Sequence, residues 1–328
     1  MREITFCEAT LEAMREEMYR DDRVFVMGED IARQGGIFGQ FKGLAAEFGT
    51  ERVRDTPISE TAIVGGGVGA ALAGMRPVVD MHFADFLGVP MDEVFNQMAK
   101  ARFMSGGQAK VPLVLRAPDG MTGGMAAQHS QSVEAWFLHI PGIKVVIPSN
   151  AADAKGLLKA AIRSDDPVLY FEHKMLFSQK GEVPDGDVLT PIGKAKVVKE
   201  GRDLTIVSYS YCFTKVLKAA EALEKQGIHA ECIDLRTISP LDMKTIYQSL
   251  KKTRKLMIAH EAVKQGGVGA EIAARVAEEM FSYLDAPIVR LGAPFVPIPF
   301  APVLERKVRI EAEDIYNAAV SLAMNSPS

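Results

Sequence analysis

The chain has 328 residues, of which 38 are Lys or Arg and 42 are Asp or Glu, so its formal net charge is −4. Hydrophobic residues make up 48% and charged residues 24%, values that are typical of globular proteins and exclude wholesale disorder. The slightly acidic balance argues against a nucleic-acid-binding module. At roughly 150 residues per domain, the length predicts about two domains.

The three cysteines, Cys7, Cys212 and Cys232, are widely spaced and form no CxxC pair. The sequence therefore predicts neither a disulfide framework nor a zinc cluster. The N-terminus lacks the apolar run of a signal peptide, and the longest uncharged apolar stretch, 61–75, falls short of the roughly 18 residues that a membrane span requires. We expect no membrane partner and, by default, a cytoplasmic protein, with an organellar matrix as the open alternative.

Short β-branched runs alternate with helical segments along the chain. This alternation predicts an α/β fold with parallel sheets and helices on both faces. The predicted strands are 24–27, 78–81, 113–116, 144–147, 168–171, 204–209, 230–234, 256–260 and 287–291.

Polar residues mark the starts of several helices. Thr5, with an acid three residues later, predicts a capping box at the first helix. Asn150 predicts the start of a second helix, and Ser239 followed by Pro240 predicts a third with the serine as N-cap. Between the last two, the stretch 178–187 is polar and turn-rich. We therefore predict two domains, 1–187 and 188–328.

Two glycine runs each allow two interpretations. The run 65–70 matches GxGxxA, the pattern of a dinucleotide-binding turn, but few apolar residues precede it. Its small residues recur four apart, which favours a helix with a smooth face for close packing. The run 265–270 follows a good strand and resembles a phosphate-binding turn. It lacks a third glycine and a P-loop lysine, so a tight turn with close helix–sheet packing is favoured.

Glu60 and His129 stand out for their local context. Glu60 heads an apolar, glycine-rich helix, where a carboxylate either suits the helix dipole or, kept from water, shares a proton with a ligand. His129 lies in a small-residue loop beyond a predicted strand, where α/β proteins place chemistry; the alternative is a polar helix cap. The six histidines show no metal-ligand spacing, so we expect no zinc site.

Nine short motifs run nearly end to end through the chain. They are MGED at 27–30, RDTPISE at 54–60, FADF at 83–86, MSGG at 104–107, AQHSQS at 127–132, HIPGIKVV at 139–146, PS at 148–149, DAKGL at 153–157 and PIPF at 297–300. In order and spacing they resemble the β subunit of the thiamine-diphosphate-dependent E1 component of 2-oxo acid dehydrogenase complexes, including acetoin-type members.

This resemblance implies a transketolase-like pyrimidine-binding domain followed by a transketolase C-terminal-type domain. It implies that Glu60 hydrogen-bonds N1′ of the cofactor's aminopyrimidine and so activates thiamine diphosphate. Phe86 matches the aromatic residue that stacks on this ring, and Ile58 would line the same pocket. His129 matches the active-site histidine that serves the substrate intermediate or the transfer to lipoamide.

Two further features of the family have matching positions here. Many relatives carry Tyr at the position of Phe103, so Phe103 is given no role. Some relatives also hold a structural potassium ion with main-chain oxygens, and Ser164 replaces a more usual acid in that set. The matching positions are Leu113, Ala161, Ile162, Ser164 and Asp166.

The Gly-Asp-Gly motif with a following Asn, through which thiamine enzymes bind the diphosphate and Mg²⁺, is missing. The stretches 118–120 and 184–187 do not reproduce it. The resemblance therefore implies that an E1 α subunit holds the diphosphate and Mg²⁺ in an α₂β₂ heterotetramer. It also implies transfer of the acyl unit to a lipoyl-bearing E2 core.

The sequence indicates the substrate less clearly than it indicates the family. The stretches 80–88, 171–174 and 181–184 lean slightly toward acetoin-type members, with pyruvate close behind and a branched-chain 2-oxo acid third. Two other functions stay open. One is the C-terminal half of a split transketolase, and the other is a nucleotide-binding dehydrogenase module that uses the run 65–70.

Overall fold

The structure, a computed structural model, describes residues 1–324. The chain forms two compact units: Met1–Asp119 with Trp136–Ile192, and Gly120–Ala135 with the residues from Gly193 onward. The predicted boundary after residue 187 lies shortly before the change of unit at Gly193. The segment 120–135, which the sequence assigns to the first domain, groups with the second unit.

The first unit is built on a sheet of parallel strands. The strands of this unit are β1 (Arg2–Thr5), β2 (Val24–Gly28), β3 (Val53–Asp55), β4 (Arg76–Asp80), β5 (Val114–Asp119), β6 (Lys144–Val146), β7 (Val168–His173) and β8 (Lys180–Val183). Strands β1 and β8 pair with each other in a separate antiparallel sheet. Strands β6, β7, β5, β4, β2 and β3 lie side by side in that order and are all parallel. Strands β5 and β7 are buried along their whole length, as expected for a sheet covered on both faces.

Helices cover this sheet. They are α1 (Phe6–Arg20), α2 (Leu44–Phe48), α3 (Glu60–Leu72), α4 (Ala101–Met104) and α5 (Ala151–Arg163), with single turns of 3₁₀ or π helix at Ala84–Gly88, Glu93–Met98, Glu134–His139 and Lys174–Leu176. The predicted capping box at Thr5 is confirmed, since its side chain accepts the Glu8 N–H while the Glu8 carboxylate accepts the Thr5 N–H. Asn150 caps α5 as predicted.

The second unit has a sheet of its own. Its elements are β9 (Lys196–Lys199), β10 (Leu204–Ser208), α6 (Ser210–Glu224), β11 (Ala230–Asp234), β12 (Thr237–Ser239), α7 (Met243–Thr253), β13 (Leu256–Val263), α8 (Val268–Glu279), β14 (Val289–Ala293), α9 (Pro302–Val308) and α10 (Ala312–Met324), with a 3₁₀ turn at Phe281–Tyr283. The sheet runs β14, β13, β10, β11, β9, and only β9 is antiparallel. The predicted α/β class is confirmed.

Helix α7 begins three residues later than the sequence predicts. Ser239 ends β12, and Asp242 is the N-cap residue. The Asp242 carboxylate accepts the Thr245 N–H at 3.3 Å and the Thr245 hydroxyl at 2.9 Å. A carboxylate that satisfies both donors caps the helix at this position, so the prediction of Ser239 as N-cap is wrong.

A fully buried ion pair lies at the centre of the first unit. The Arg116 guanidinium on β5 donates two hydrogen bonds, of 2.8 and 2.6 Å, to the Glu172 carboxylate on β7, and both side chains are buried. Asp80 on β4 is also buried. Burial is the main cause that raises the pKa of Asp80 to about 6; the Arg116 charge opposes the rise and the Glu172 charge adds to it.

Breaking this pair from one side should destabilise the first unit strongly. We expect Glu172→Gln to lower the free energy of unfolding by about 3–5 kcal/mol, because the buried Arg116 guanidinium loses the carboxylate that it hydrogen-bonds. Urea denaturation of the purified chain measures this change. Replacing both partners, in Arg116→Met with Glu172→Leu, should recover much of the loss. The control is Glu47→Gln, which removes an exposed ion pair with Arg15; an equal loss in this control would contradict the expectation.

Candidate functional site

Glu60 is the first residue of α3, which follows the carboxyl end of β3. The backbone carbonyl of Ser59 accepts the Ile63 N–H at 2.9 Å, and Glu60 lies half-buried in the first helical turn. Two residues earlier, the side chain of Ile58 is 81% exposed. A half-buried carboxylate and an exposed apolar side chain therefore stand together at the start of this helix.

A second carboxylate lies close to Glu60. Glu29 follows the carboxyl end of β2, and its pKa is raised first by burial, with a further contribution from the negative charges of Glu60 and Asp30. The charge of His82 works in the opposite direction. The Nδ1 atom of His82 lies 3.9 Å from a Glu29 carboxylate oxygen. Glu60 thus belongs to an acidic cluster with one imidazole at its side.

His82 is held in place by the strand that precedes it. Its backbone has a positive φ of 61°, and its N–H donates to the buried Asp80 carboxylate at 3.1 Å. The imidazole contacts the edge of the Phe83 ring at a centroid distance of 5.3 Å, and Phe83 in turn meets Phe86 at 6.2 Å. Phe86 is half-buried in the 3₁₀ turn after β4. A chain of contacts therefore runs from Glu29 to Phe86 within the first unit, and the charge of Glu60 acts on its first member.

The sequence assigns no role to Glu29 or His82. The sequence contained a usable signal, because Glu29 is the first residue and His82 the second residue after the carboxyl end of a parallel strand. Side chains from neighbouring strands converge at such ends. What the sequence does not show is the positive φ of His82, which turns its side chain to Glu29. The candidate site of the first unit consists of Ile58, Glu60, Phe86, Glu29 and His82.

His129 belongs to the second unit. It is half-buried in the segment 120–135, between glycines at 123 and 124 and the buried Ser130. Backbone and side-chain hydrogen bonds within the second unit hold this segment at several points. The predicted site residues are therefore divided between the units: Ile58, Glu60 and Phe86 lie in the first and His129 in the second.

The main-chain oxygens predicted to bind potassium already accept hydrogen bonds. Their donors are Val168 N–H to Leu113, Ser164 N–H to Ala161, Arg76 Nη1 to both Ile162 at 2.9 Å and Ser164 at 3.0 Å, and Ser164 Oγ to Asp166. Carbonyl oxygens suit K⁺ and each has a second lone pair. The Arg76 guanidinium nevertheless places a positive charge against two of them, which disfavours a second cation. The potassium ion stays a prediction of the resemblance.

Phe103 is 86% exposed. With Arg102, Lys144 and Asp166 it lines an open cavity of about 650 Å³. Lys144 donates to the Asp166 carboxylate at 2.9 Å and to the Ser164 hydroxyl at 3.0 Å. This cavity therefore borders the predicted potassium position.

Both glycine runs serve close packing. The run 65–70 lies inside α3, where a Cβ on Gly67 would lie 2.7 Å from Val79 of β4. A run within a helix cannot form a dinucleotide-binding turn. In the second run, a Cβ on Gly267 would lie 2.6 Å from the ring of the buried His260. Within residues 1–324, no three His, Cys, Asp or Glu side chains are placed to hold a metal ion, and no helix is long and apolar enough to cross a membrane.

Exchanging K⁺ for choline, with chloride kept as the anion, tests the predicted potassium position. Because the Arg76 charge already lies against two of the five oxygens, we expect the same thermal unfolding midpoint in KCl and in choline chloride at equal ionic strength. Arg76→Met removes this charge, so the variant should unfold at a higher temperature in KCl than in choline chloride. Differential scanning calorimetry measures both. A K⁺-specific rise in the unsubstituted chain would show instead that the ion binds beside Arg76.

Two family models match the chain. The transketolase pyrimidine-binding domain matches residues 2–179, and the transketolase C-terminal domain matches residues 193–315. Among solved structures, a split-gene transketolase described as an inactive β₄ tetramer superimposes with a TM-score of 0.83 at 25% identity, covering 98% of this chain and 99% of that one. The predicted pair of transketolase-type domains is confirmed.

Three curated relatives are much more similar in sequence. The 2-oxoisovalerate dehydrogenase subunit beta of Bacillus subtilis is 47% identical, over 98% of this chain and 99% of its own. The pyruvate dehydrogenase E1 component subunit beta of Rhizobium meliloti is 47% identical, over 97% and 69%. The acetoin:2,6-dichlorophenolindophenol oxidoreductase subunit beta of Cupriavidus necator is 45% identical, over 97% of each chain.

Proposed function

Because the chain belongs to the family of E1 β subunits of 2-oxo acid and acetoin dehydrogenase complexes, we propose that it forms the pyrimidine half of a thiamine-diphosphate site. The observation that carries this proposal is the placement of Glu60 at the start of α3, after the carboxyl end of β3, with Glu29 and His82 after the ends of β2 and β4 and 3.9 Å apart. When bound, thiamine diphosphate supplies the carbanion chemistry of such enzymes. The residues of this chain bind, orient and hold protons.

Glu60 is the residue to which we assign the acid–base role of the proposed site. Two carboxylates close together disfavour a second negative charge, and here the Glu60 charge helps to raise the pKa of Glu29. A proton retained by such a pair can be shared with an aminopyrimidine nitrogen. His82, 3.9 Å from Glu29, stabilises the ionised form of that residue. The cluster therefore fits the acid–base task that the resemblance assigns to Glu60.

Apolar side chains suit the remaining surface of an aminopyrimidine ring. Phe86 presents an aromatic group whose ring packs edge-on against Phe83, and the exposed Ile58 provides apolar surface that a bound ring would cover. We assign His129 to the substrate intermediate or to acyl transfer to lipoamide, since a histidine can carry out proton transfer near neutral pH.

The partner subunit follows from the missing diphosphate motif. We propose that an E1 α subunit holds the diphosphate and Mg²⁺, that the enzyme is an α₂β₂ heterotetramer with its active site at the subunit interface, and that a lipoyl-bearing E2 core accepts the acyl unit. The relatives are named as subunits of such dehydrogenases. We keep the cytoplasm as the default location.

The two other functions receive less support. A split transketolase shares the fold, but its identity of 25% is far below the 45–47% of the E1 relatives. A nucleotide-binding dehydrogenase module would need the run 65–70 as a turn, and this run is helical.

Substitution of Glu60 tests the catalytic assignment. Glu60→Gln keeps the shape of the side chain but removes its acid–base function, so we expect turnover of the reconstituted α/β enzyme to fall by about a hundredfold or more. Thiamine-diphosphate-dependent reduction of an artificial electron acceptor measures this. Glu51→Gln changes an exposed acid of the same unit and should leave turnover unchanged. Near-normal activity of Glu60→Gln in an assembled enzyme would contradict the catalytic role of Glu60.

A substrate panel tests the finer proposal. The relatives act on different substrates by name at nearly equal identity, so identity does not rank them. From the motifs at 80–88, 171–174 and 181–184 we expect the highest kcat/KM with acetoin, followed by pyruvate and then branched 2-oxo acids. Parallel assays with the neighbouring α subunit decide the order. Higher kcat/KM with either 2-oxo acid would reverse it.

A further inference from the structure

Two buried carboxylates of the second unit hold the backbone of the segment that contains His129. The Met121 N–H donates to the Glu261 carboxylate at 2.7 Å. The N–H groups of Gly123 and Gly124 donate to the two carboxylate oxygens of Glu305 at 2.7 and 2.9 Å. Hydrogen bonds from a backbone N–H to an ionised carboxylate are about twice as strong as neutral ones.

The backbone of the segment is shaped to make these contacts. Gly123 and Gly124 have positive φ angles of 96° and 136°, which L residues rarely adopt, and these angles turn both N–H groups toward one side chain. Glu305 is 1% exposed in α9, and Arg309 of the next turn lies 3.7 Å from its carboxylate. This bidentate contact fixes two consecutive amides, so it sets both the position and the orientation of the backbone.

The other end of the segment is anchored independently. The Gly120 N–H donates to the carbonyl of Gln131 at 3.2 Å, and Ser130 is buried. Further on, the buried Glu134 accepts a 2.6 Å hydrogen bond from the Tyr209 hydroxyl. His129 thus lies between the Glu305 contact and this second anchor.

We propose that Glu305, assisted by Glu261, is a positioning residue for His129. It acts through the backbone of 121–124 and sets where the imidazole is presented. This proposal rests on the proposed function for the role of His129. A second carboxylate, Glu261 of β13, adds a contact to the same backbone at Met121.

The proposal is tested by steady-state kinetics of the enzyme reconstituted with its α subunit, with either the unsubstituted chain or the His129→Ala variant as the starting point. Glu305→Gln retains one acceptor oxygen but turns an amide NH₂ toward a backbone donor, so one of the two contacts is lost. We expect a fall in kcat of about tenfold with little change in KM. In the His129→Ala background, the same substitution should cause no further fall, since residues that act through one another are not additive. An equal fall in both backgrounds would mean a general structural effect and would overturn the proposal.

Hydrogen exchange separates this proposal from the proposed function. In Glu305→Gln, the amides of 121–129 should exchange faster while those of β10 stay protected. Gly124→Ala should also speed exchange of these amides, because an L residue at the positive φ of Gly124 strains the backbone that contacts Glu305. The control is Glu313→Gln, an exposed acid in α10. Unchanged exchange at 121–129 overturns the positioning role. Faster exchange there, with His129→Ala fully active, overturns the role of His129 and with it the link between Glu305 and turnover.

Discussion

A guanidinium and a carboxylate buried together impose the strongest constraint on the first unit. Arg116 and Glu172 lie on the adjacent strands β5 and β7, and Asp80 stands directly opposite Arg116 on β4. A shift of one residue in either pairing would bury an uncompensated charge, which costs several kcal/mol. The register of the three central strands is therefore fixed by charge as well as by the hydrophobic pattern. The fixed register therefore also fixes where the loops at the carboxyl ends of these strands begin.

The candidate site depends on the same charges. Asp80 accepts the His82 N–H, and His82 approaches Glu29, which interacts with Glu60. Glu29, Glu60 and His82 follow the ends of three different strands, so the acidic cluster depends on the register of the sheet. In the second unit, acidic side chains bind the backbone of the predicted site segment. There the carboxylates of Glu261 and Glu305 accept hydrogen bonds from backbone N–H groups of the segment that contains His129.

Local signals in the sequence predicted individual strands and helix caps better than they predicted the contacts between distant side chains. Runs such as 230–234 gave a strand with the observed bounds, and the caps at Thr5 and Asn150 act within one helical turn. The prediction at Ser239 failed because Asp242, three residues later, offers a stronger acceptor. Motifs identified Glu60, Phe86 and His129 as candidates. The contacts of Glu29 with His82 and of Glu305 with Gly124 join distant residues, and no pattern of spacing along the chain encodes them.

The separation of 181 residues between Gly124 and Glu305 also has a consequence for biosynthesis. The chain enters the second unit at Gly120, returns to the first at Trp136 and leaves it again after Ile192. On the ribosome, the segment that carries His129 emerges long before either carboxylate that holds it. Until α9 has been synthesised, the amides of Gly123 and Gly124 lack the Glu305 carboxylate that accepts their hydrogen bonds. The first unit can acquire its buried ion pair early, whereas the His129 segment reaches its final conformation only when the chain is nearly complete.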